Sequence, residues 1–362
     1  MAEGISPDDA LRRVLAGELR LVDLRGRAEV LGSGAIEIAE PLADRQLLQV
    51  LAESGQPVAL LCQRGVRSAR LCAEVSDSSP VGVLNVAGGF DAWRKAGLPV
   101  SEPRTPFSAR ERERYLRHFA LPEIGEAGQL KLRQASVLLV GAGGLGSPAA
   151  LYLTAAGLGR IVIVDDDRVE RSNLQRQVLH SETGIGCLKV DSASSRLHAL
   201  NPDVMIETQP QRLGQENVDA CVADVDLVID GSDNFPTRYL LNAACLRHAR
   251  PLVYGAVERF SGQLGLFAPG QPGQPCYRCL FPDSPGPGEA PNCAEAGVLG
   301  VMPGIVGTLQ TLEALKLLLG LENSLLGQLL IIDGLQMTFR QVQVRKDPEC
   351  PDCGSGRGIA ET

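Results

Sequence analysis

Val137-Leu-Leu-Val140-Gly141-Ala-Gly143-Gly144-Leu-Gly146 is an apolar tetrapeptide running into a glycine-rich turn. Such a run reads as a strand, a tight turn and the start of a helix. Gly141 ends the strand, Gly143 lets a ligand approach the backbone, and Gly146 lets the helix pack on the strand. Free N–H groups and the positive dipole end of the helix then face a phosphate. Gly141, Gly143, Gly144 and Gly146 are therefore the first candidate cofactor-binding residues. A second apolar strand, Ile161 to Val164, ends at Asp165, nineteen residues after Gly146, where a carboxylate accepts hydrogen bonds from ribose hydroxyls. Taken alone, this pattern indicates a nicotinamide dinucleotide.

The residues that follow point elsewhere. Ser172-Asn173-Leu-Gln-Arg176-Gln177 and then Lys189 come after the ribose acid, and a dehydrogenase has no use for them. A guanidinium at Arg176 holds phosphate oxygens in a fork, and Lys189 supplies a compact charge where negative charge builds during attack. Asp233, in Asp230-Gly-Ser-Asp233-Asn234, follows a third apolar strand (Leu227 to Ile229) and is placed to hold Mg²⁺ against phosphates. One acid for ribose, one for metal and two cations for phosphates describe ATP chemistry. Arg176 or Lys189 alone reads equally well as a solvated surface charge.

From about Arg112 to Cys353 the chain resembles the adenylating enzymes of the ubiquitin-activating type, among them those that act in molybdopterin and thiamine synthesis. The resemblance is carried by Arg114-Tyr115-Leu116-Arg117-His118, Gly141 to Gly146, Asp165, Asn173 to Arg176, Lys189, Asp233-Asn234 and two Cys-x-x-Cys pairs. It implies that Asp165 binds ribose, that Asn173, Arg176 and Lys189 handle the phosphates, and that Asp233 and Asn234 serve the Mg·ATP site. It also implies that Arg117 reaches the nucleotide of a partner subunit in a homodimer. The residues themselves place Arg117 only as a charge on a helix opened by Ser108 and Glu111, a capping-box pattern.

The chain has 362 residues and a net charge of −8, enough for two cores and too acidic for a nucleic-acid surface. The first residues have neither a basic nor an apolar signal-peptide region. The most apolar stretch, Val298 to Leu319, contains Pro303, Gly304, Gly307, Glu313 and Lys316, and reads as a glycine-broken loop leading to a core helix rather than a membrane span. A cytoplasmic location follows, with most of the ten cysteines reduced. Cys276-Tyr-Arg-Cys279 and Cys350-Pro-Asp-Cys353 can close a tetrahedral Cys₄ site for Zn²⁺, structural because four thiolates leave no open position. A redox pair, or two unrelated pairs, is the alternative. Cys187, Cys221 and Cys245 read as packing.

Residues 1 to about 100 have their own organisation. Strand-like Leu19 to Leu24, a helical pattern from Ala43 to Glu53, strand Pro57 to Leu61 and strand Val83 to Val86 predict a parallel α/β sheet. Cys62-Gln-Arg64-Gly65-Val-Arg67-Ser68 follows a strand and opens a helix, a setting that favours a thiolate or a persulfide anion, with Arg64 and Arg67 close by. Four residues separate Cys62 from Arg67, a ring suited to one bound sulfur. Residues 15 to 100 resemble a single-domain rhodanese, on Asp23-Leu-Arg25, Cys62 to Ser68 and Ala87 to Pro99, although Ala28 to Leu42 lacks the usual His-Ile approach to Gly-Ala. Cys72 reads as core. A buried, inert thiol is the alternative for Cys62.

The predicted fold class is therefore α/β throughout: a rhodanese-like parallel-sheet domain, 1–103, and a Rossmann-like adenylation domain with a structural zinc site, 104–362, joined by Ser101 to Pro106. The two resemblances together imply ATP-dependent adenylation of the C-terminal glycine of a small ubiquitin-like sulfur carrier ending in Gly-Gly. Sulfur then comes from a Cys62 persulfide, loaded by a cysteine desulfurase or thiosulfate, and the carrier leaves as a thiocarboxylate for molybdopterin synthesis. Cys293, in the loop after Pro282 to Pro291, lies where related enzymes carry a cysteine that bonds to the carrier; an inert loop thiol is the alternative. The tail Gly354 to Thr362 reads as disordered and has no terminal Gly-Gly, so the chain is not itself a carrier. Thiamine or tRNA-thiolation carriers keep the same chemistry. Rivals of another class are an NAD(P)-dependent oxidoreductase with a sulfide-handling domain and a non-catalytic scaffold.

Overall fold

The computed structural model describes residues 4–26, 29–30, 33–41, 47–76, 79–101, 105–269, 271, 273–284, 297–322 and 325–354. It divides into two compact units, Met1–Glu126 and Ala127–Thr362. Half of the linker (Glu102 to Arg104), Cys293 and the tail from Ser355 lie outside the described residues.

The first unit is a five-stranded parallel sheet in the order β1-β5-β4-β2-β3, with β1 Gly4–Ile5, β2 Arg20–Asp23, β3 Glu40–Pro41, β4 Val58–Leu61 and β5 Val83–Val86. Its helices are α1 Pro7–Leu15, α2 Leu47–Glu53, α3 Val66–Val75 and α4 Gly89–Lys95. Strand alternation sends Leu21, Ala59, Leu61, Leu84 and Val86 to one face, against Phe90 and Trp93 of α4. Val22, Val58, Leu60 and Val83 go to the other, against Leu47, Leu51, Cys72 and Val75. Covering both faces is what a parallel sheet requires, and it explains why β4 is apolar at every position. The sequence shows neither β1 nor β3, because two residues carry no alternation to read. The chain continues through α5 Ala109–Arg114 and α6 Leu116–Phe119. Both halves of the Ser108–Glu111 capping box form. The helix they open stops at Arg114, however, so Arg117 lies on the following single turn, α6, rather than on the capped helix.

After α7 Gly125–Gln134, the second unit is built on eight strands: β6 Ser136–Val140, β7 Arg160–Val164, β8 Met205–Gln209, β9 Leu227–Asp230, β10 Leu252–Glu258, β11 Ser261–Phe267, β12 Gln328–Asp333 and β13 Thr338–Gln343. Its other helices are α8 Gly146–Ala156, α9 Lys189–Leu200, α10 Val218–Ala223, α11 Phe235–Arg247, α12 Tyr277–Leu280 and α13 Val301–Leu319. The sheet order is β13-β12-β11-β10-β9-β6-β7-β8, parallel from β8 to β10 and antiparallel from β10 to β13. The order in which strands are added reverses between β6 and β9, with β7 and β8 on one side and β10 on the other, so a crevice opens beyond their carboxyl ends. Val137, Leu139, Ile161, Ile163 and Ile229 pack one face, and Leu138, Val140, Val162, Val164 and Val228 the other.

Two expectations change here. The segment expected as a glycine-broken loop is helical from Val301, with Pro303 in the first turn, where the missing N–H has no intrahelical partner to lose. A side chain at Gly307 would collide with the Leu145 carbonyl, so that glycine lets α13 press on the nucleotide turn. Among the described residues no helix is long and apolar enough to cross a membrane. Cys221 and Cys245 are buried as expected, but Cys187 is exposed, on the loop that enters α9, and packs nothing.

Candidate functional site

The glycine turn, Asp165, Asn173, Arg176, Lys189, Asp233 and Asn234 all line one cavity of about 480 Å³ at the β6/β9 switch point. Gly141 has φ +92°, and a Cβ there would stand 2.8 Å from Gly231 O. A Cβ at Gly146 would strike Gly141 O, so the helix starts in contact with the strand end. At Gly143 a Cβ would meet only Gln177 Nε2, at 3.7 Å, which leaves that glycine for the cavity rather than for packing. Gly144 has Pro303 of α13 above it, 3.0 Å from a notional Cβ.

Asp165 closes the turn from the next strand. Its Oδ2 accepts from Ala142 N–H at 2.7 Å and its Oδ1 from Asp167 N–H at 2.9 Å, fixing the carboxylate while each oxygen keeps a free lone pair. His180, which the sequence did not single out, braces the same turn. Its Nε2 lies 2.9 Å from Ala142 O and its Nδ1 3.0 Å from Ser192 Oγ. A carbonyl can only accept, so Nε2 donates, and burial holds the ring's pKa below the ordinary value.

The two cations differ. Lys189 is buried, its Nζ 2.7 Å from Asp167 Oδ2, and it is the first residue of α9, where the helix dipole disfavours a positive charge. Arg176 donates only to neutral acceptors among the described residues: Asn173 Oδ1 at 2.9 Å and Ser172 O at 3.3 Å. Its charge is uncompensated and faces the cavity. Asp233 is exposed at the rim; Asn234 donates weakly to it (3.5 Å) and spends its own Oδ1 capping α11 through Thr237 N–H at 3.0 Å. Asp230, at the end of β9, is fully buried. Its Oδ1 accepts from Ser232, its Oδ2 has no partner, and burial pushes its carboxyl up against the charge of Arg238. Arg238 also lines the cavity, is buried, and was not visible as a site residue, since an arginine inside a mixed helix carries no local signal.

Arg117 is exposed on α6, in the first unit. Cys62 sits in that unit at the end of β4, buried, with its Sγ 3.3 Å from Ser68 Oγ and 3.4 Å from Ser68 N. Burial alone would raise its pKa, but the Ser68 hydroxyl and the N–H groups of Ser68, Arg64 and Arg67 outweigh it, and the thiol is lowered. The expected guanidinium help is not among the main causes. Arg67 Nη2 donates to Leu24 O at 2.6 Å and Glu29 at 3.2 Å, and Arg64 is exposed. Gly65 takes φ +80° under Gly88 and Gly89, so the loop curls its amides toward the sulfur. Cys72 is core, its thiol pushed up to about 11 by burial.

The four cysteines of the two pairs come together although about seventy residues separate the pairs. Sγ separations are 4.0 Å (Cys276–Cys279), 3.7 Å (Cys276–Cys350) and 3.4 Å (Cys279–Cys353), all four within 4.8 Å of one another. A tetrahedron with zinc–sulfur bonds of ~2.3 Å has edges of about 3.8 Å, so the donors fit the ion. Burial, with the Cys279 sulfur beside it, pushes the Cys276 thiol up, which a cation would reverse.

The model of the ThiF family matches residues 115–352, and that of the rhodanese-like domain matches residues 6–96. The chain belongs to the ThiF family. Family membership decides between the two readings of the glycine turn and joins it to an N-terminal rhodanese-like domain. The chain is 51% identical over 248 residues to the SAMP-activating enzyme E1 of Haloferax volcanii, covering 68% of this chain and 91% of that one. It is 51% identical over 252 residues to the sulfur carrier protein adenylyltransferase of Thermus thermophilus, covering 68% and 93%. It is 49% identical over 250 residues to the adenylyltransferase and sulfurtransferase MOCS3 of Anopheles gambiae, covering 69% of this chain and 56% of that longer one. The fold is similar to that of Escherichia coli MccB, with a TM-score of 0.60 at 20% identity over 74% of this chain and 84% of the other.

Proposed function

We propose that the protein uses Mg·ATP to adenylate the C-terminal carboxylate of a small ubiquitin-like sulfur carrier, then replaces the adenylate with sulfur. The observation that carries this reading is the cavity itself, which gathers Asp165, Asn173, Arg176, Lys189 and Asp233 around a glycine turn at the head of α8. A carboxylate does not exchange oxygen for sulfur at neutral pH, because its leaving group is poor. Attack of the carrier's glycine carboxylate on the α-phosphate releases pyrophosphate and creates a mixed anhydride from which AMP leaves readily. Asp165 holds the ribose and Asn173 orients Arg176. Arg176 and Lys189 meet the charge that develops on the phosphates, Asp233 would hold Mg²⁺, and Asn234 beside it caps α11. Magnesium supplies charge neutralisation of the phosphates when bound. Zinc in the Cys₄ cluster is structural.

Cys62 carries the sulfur as a persulfide, received from a cysteine desulfurase or thiosulfate. Its terminal sulfur attacks the acyl-adenylate and AMP departs, leaving the carrier joined to Cys62 through a disulfide. A second thiol must then form a disulfide with Cys62 to release the thiocarboxylate. A reduced cellular thiol can supply it, leaving a mixed disulfide on Cys62; Cys293, through which the sulfur passes on the alternative route by bonding to the carrier, lies outside the described residues. Domain limits at 1–103 and 104–362, a homodimer completed by Arg117, and a cytoplasmic location with reduced cysteines belong to the same reading. The carrier is that of molybdopterin synthesis on this reading, with thiamine and tRNA-thiolation carriers as the alternative. Carrier-dependent exchange of labelled pyrophosphate into ATP tests the first half. Its absence with all three classes of carrier overturns the proposal.

A further inference from the structure

One helix serves both the cavity and the cysteine cluster. Asp233, Asn234, Thr237 and Arg238 line the cavity at the start of α11. Eight residues after its cap, about 12 Å along the axis, Asn242 is buried against the cluster. Its Oδ1 accepts from Tyr277 N–H at 2.9 Å; its Nδ2 donates to Asp352 Oδ2 at 2.9 Å and faces Cys276 Sγ at 3.7 Å. Tyr277 belongs to the spacer of the first cysteine pair and Asp352 to the spacer of the second. A single side chain of α11 therefore brackets both.

The return path is aromatic. Tyr277 is fully buried, its ring 5.1 Å from Tyr254 and from Phe281 and 5.3 Å from Tyr239. The Arg238 guanidinium lies 5.4 Å from the Tyr254 ring and 5.2 Å from that of Phe235. Directed bonds hold it poorly: Nη2 reaches Ser232 O at 3.3 Å, and Nε has no hydrogen-bond partner. Tyr277 Oη has no partner of good hydrogen-bond geometry, but it lies beside the Arg238 guanidinium, so Tyr277 acts on Arg238 by this contact as well as through its ring. Packing on Tyr254, which is itself backed by Tyr277, sets where Arg238 points.

We infer that the Cys₄ cluster is a strut of the nucleotide cavity, acting through Asn242 and Tyr277 as positioning residues, so that metal retention and nucleotide affinity are coupled. Without the metal the two spacers part, Asn242 loses its bracket, and Tyr277 no longer backs Tyr254 under Arg238. The inference rests on the nucleotide reading of the cavity. Coupling is reciprocal: whatever factor the metal adds to nucleotide affinity, the nucleotide adds to metal affinity.

The test is competition between the zinc-loaded full chain and a chelator, with and without saturating Mg·ATP, beside calorimetric titration of Mg·ATP itself. The chelator concentration at half removal should rise at least about fivefold with Mg·ATP. Asn242→Ala, and Asp352→Ala should Asn242→Ala not fold, should reduce this rise below about twofold while still binding both zinc and nucleotide. An unchanged chelator midpoint in a protein that binds Mg·ATP overturns the strut and leaves the cavity reading standing. Failure to bind Mg·ATP at all overturns the cavity reading, and the strut with it.

Discussion

Lys189 Nζ lies 2.7 Å from Asp167 Oδ2, and the two side chains are 7% and 67% exposed. The cation is withdrawn from water while its partner stays in it. That asymmetry suits a charge kept for a phosphate rather than for the fold. Lys189→Ala should therefore lower carrier-dependent pyrophosphate exchange by about 100-fold with little change in melting temperature. Unchanged exchange in this variant would remove Lys189 from the chemistry.

Ser68 sets the state of Cys62. Ser68→Ala removes the hydroxyl at 3.3 Å and one of the main causes of the lowered thiol pKa. The rising limb of the pH profile for thiosulfate sulfurtransfer should then move to higher pH. The linkage to stability has a definite sign. A depressed thiol adds stability above its unfolded pKa, about 8.5, and this is lost as pH falls through the lowered value. The lost hydrogen bond to Asn85 should cost a further roughly 1 kcal/mol at any pH. A profile that does not move would place thiolate stabilisation elsewhere.

Asp23 and Arg25 form a bidentate pair with side chains 5% and 0% exposed, and the guanidinium lies 3.6 Å over the Phe90 ring. Asp23→Ala would strand a buried charge at a cost of about 3–5 kcal/mol. Calorimetry of the full chain should show the transition of the first unit fall while pyrophosphate exchange persists. An unaltered thermogram would contradict the burial of this pair.

Metal analysis of the parent should find one zinc per chain, and the Cys350→Ser, Cys353→Ser double variant should lose it. Full retention of zinc would sink the Cys₄ assignment.

Much of the site was legible because its signals are local. The apolar strands before Gly141, Asp165 and Asp233 and the spacing inside each cysteine pair can be read from neighbouring residues, and the structure brings them together. Asp167, His180 and Arg238 were not legible, since each owes its place to a partner far along the chain: Lys189, Ala142 and Tyr254. Arg67 shows the limit of reading by proximity. It stands five residues from Cys62, yet its guanidinium donates to Leu24 O, and it is its backbone N–H that stands among the main causes of the lowered thiol. Gly307 misled for a related reason: it looked like a helix breaker, and its use is a close approach of α13 to Leu145.

The most direct test of the account is the intact mass of a candidate carrier after incubation with the protein, Mg·ATP and thiosulfate. The account predicts a gain of one sulfur for one oxygen at the carrier's C-terminus, lost with Cys62→Ala and with Asp233→Ala. Pyrophosphate exchange should survive Cys62→Ala, and thiosulfate sulfurtransfer should survive Asp233→Ala. A carrier that is adenylated by the protein yet never gains sulfur would contradict the claim that both units act on one substrate.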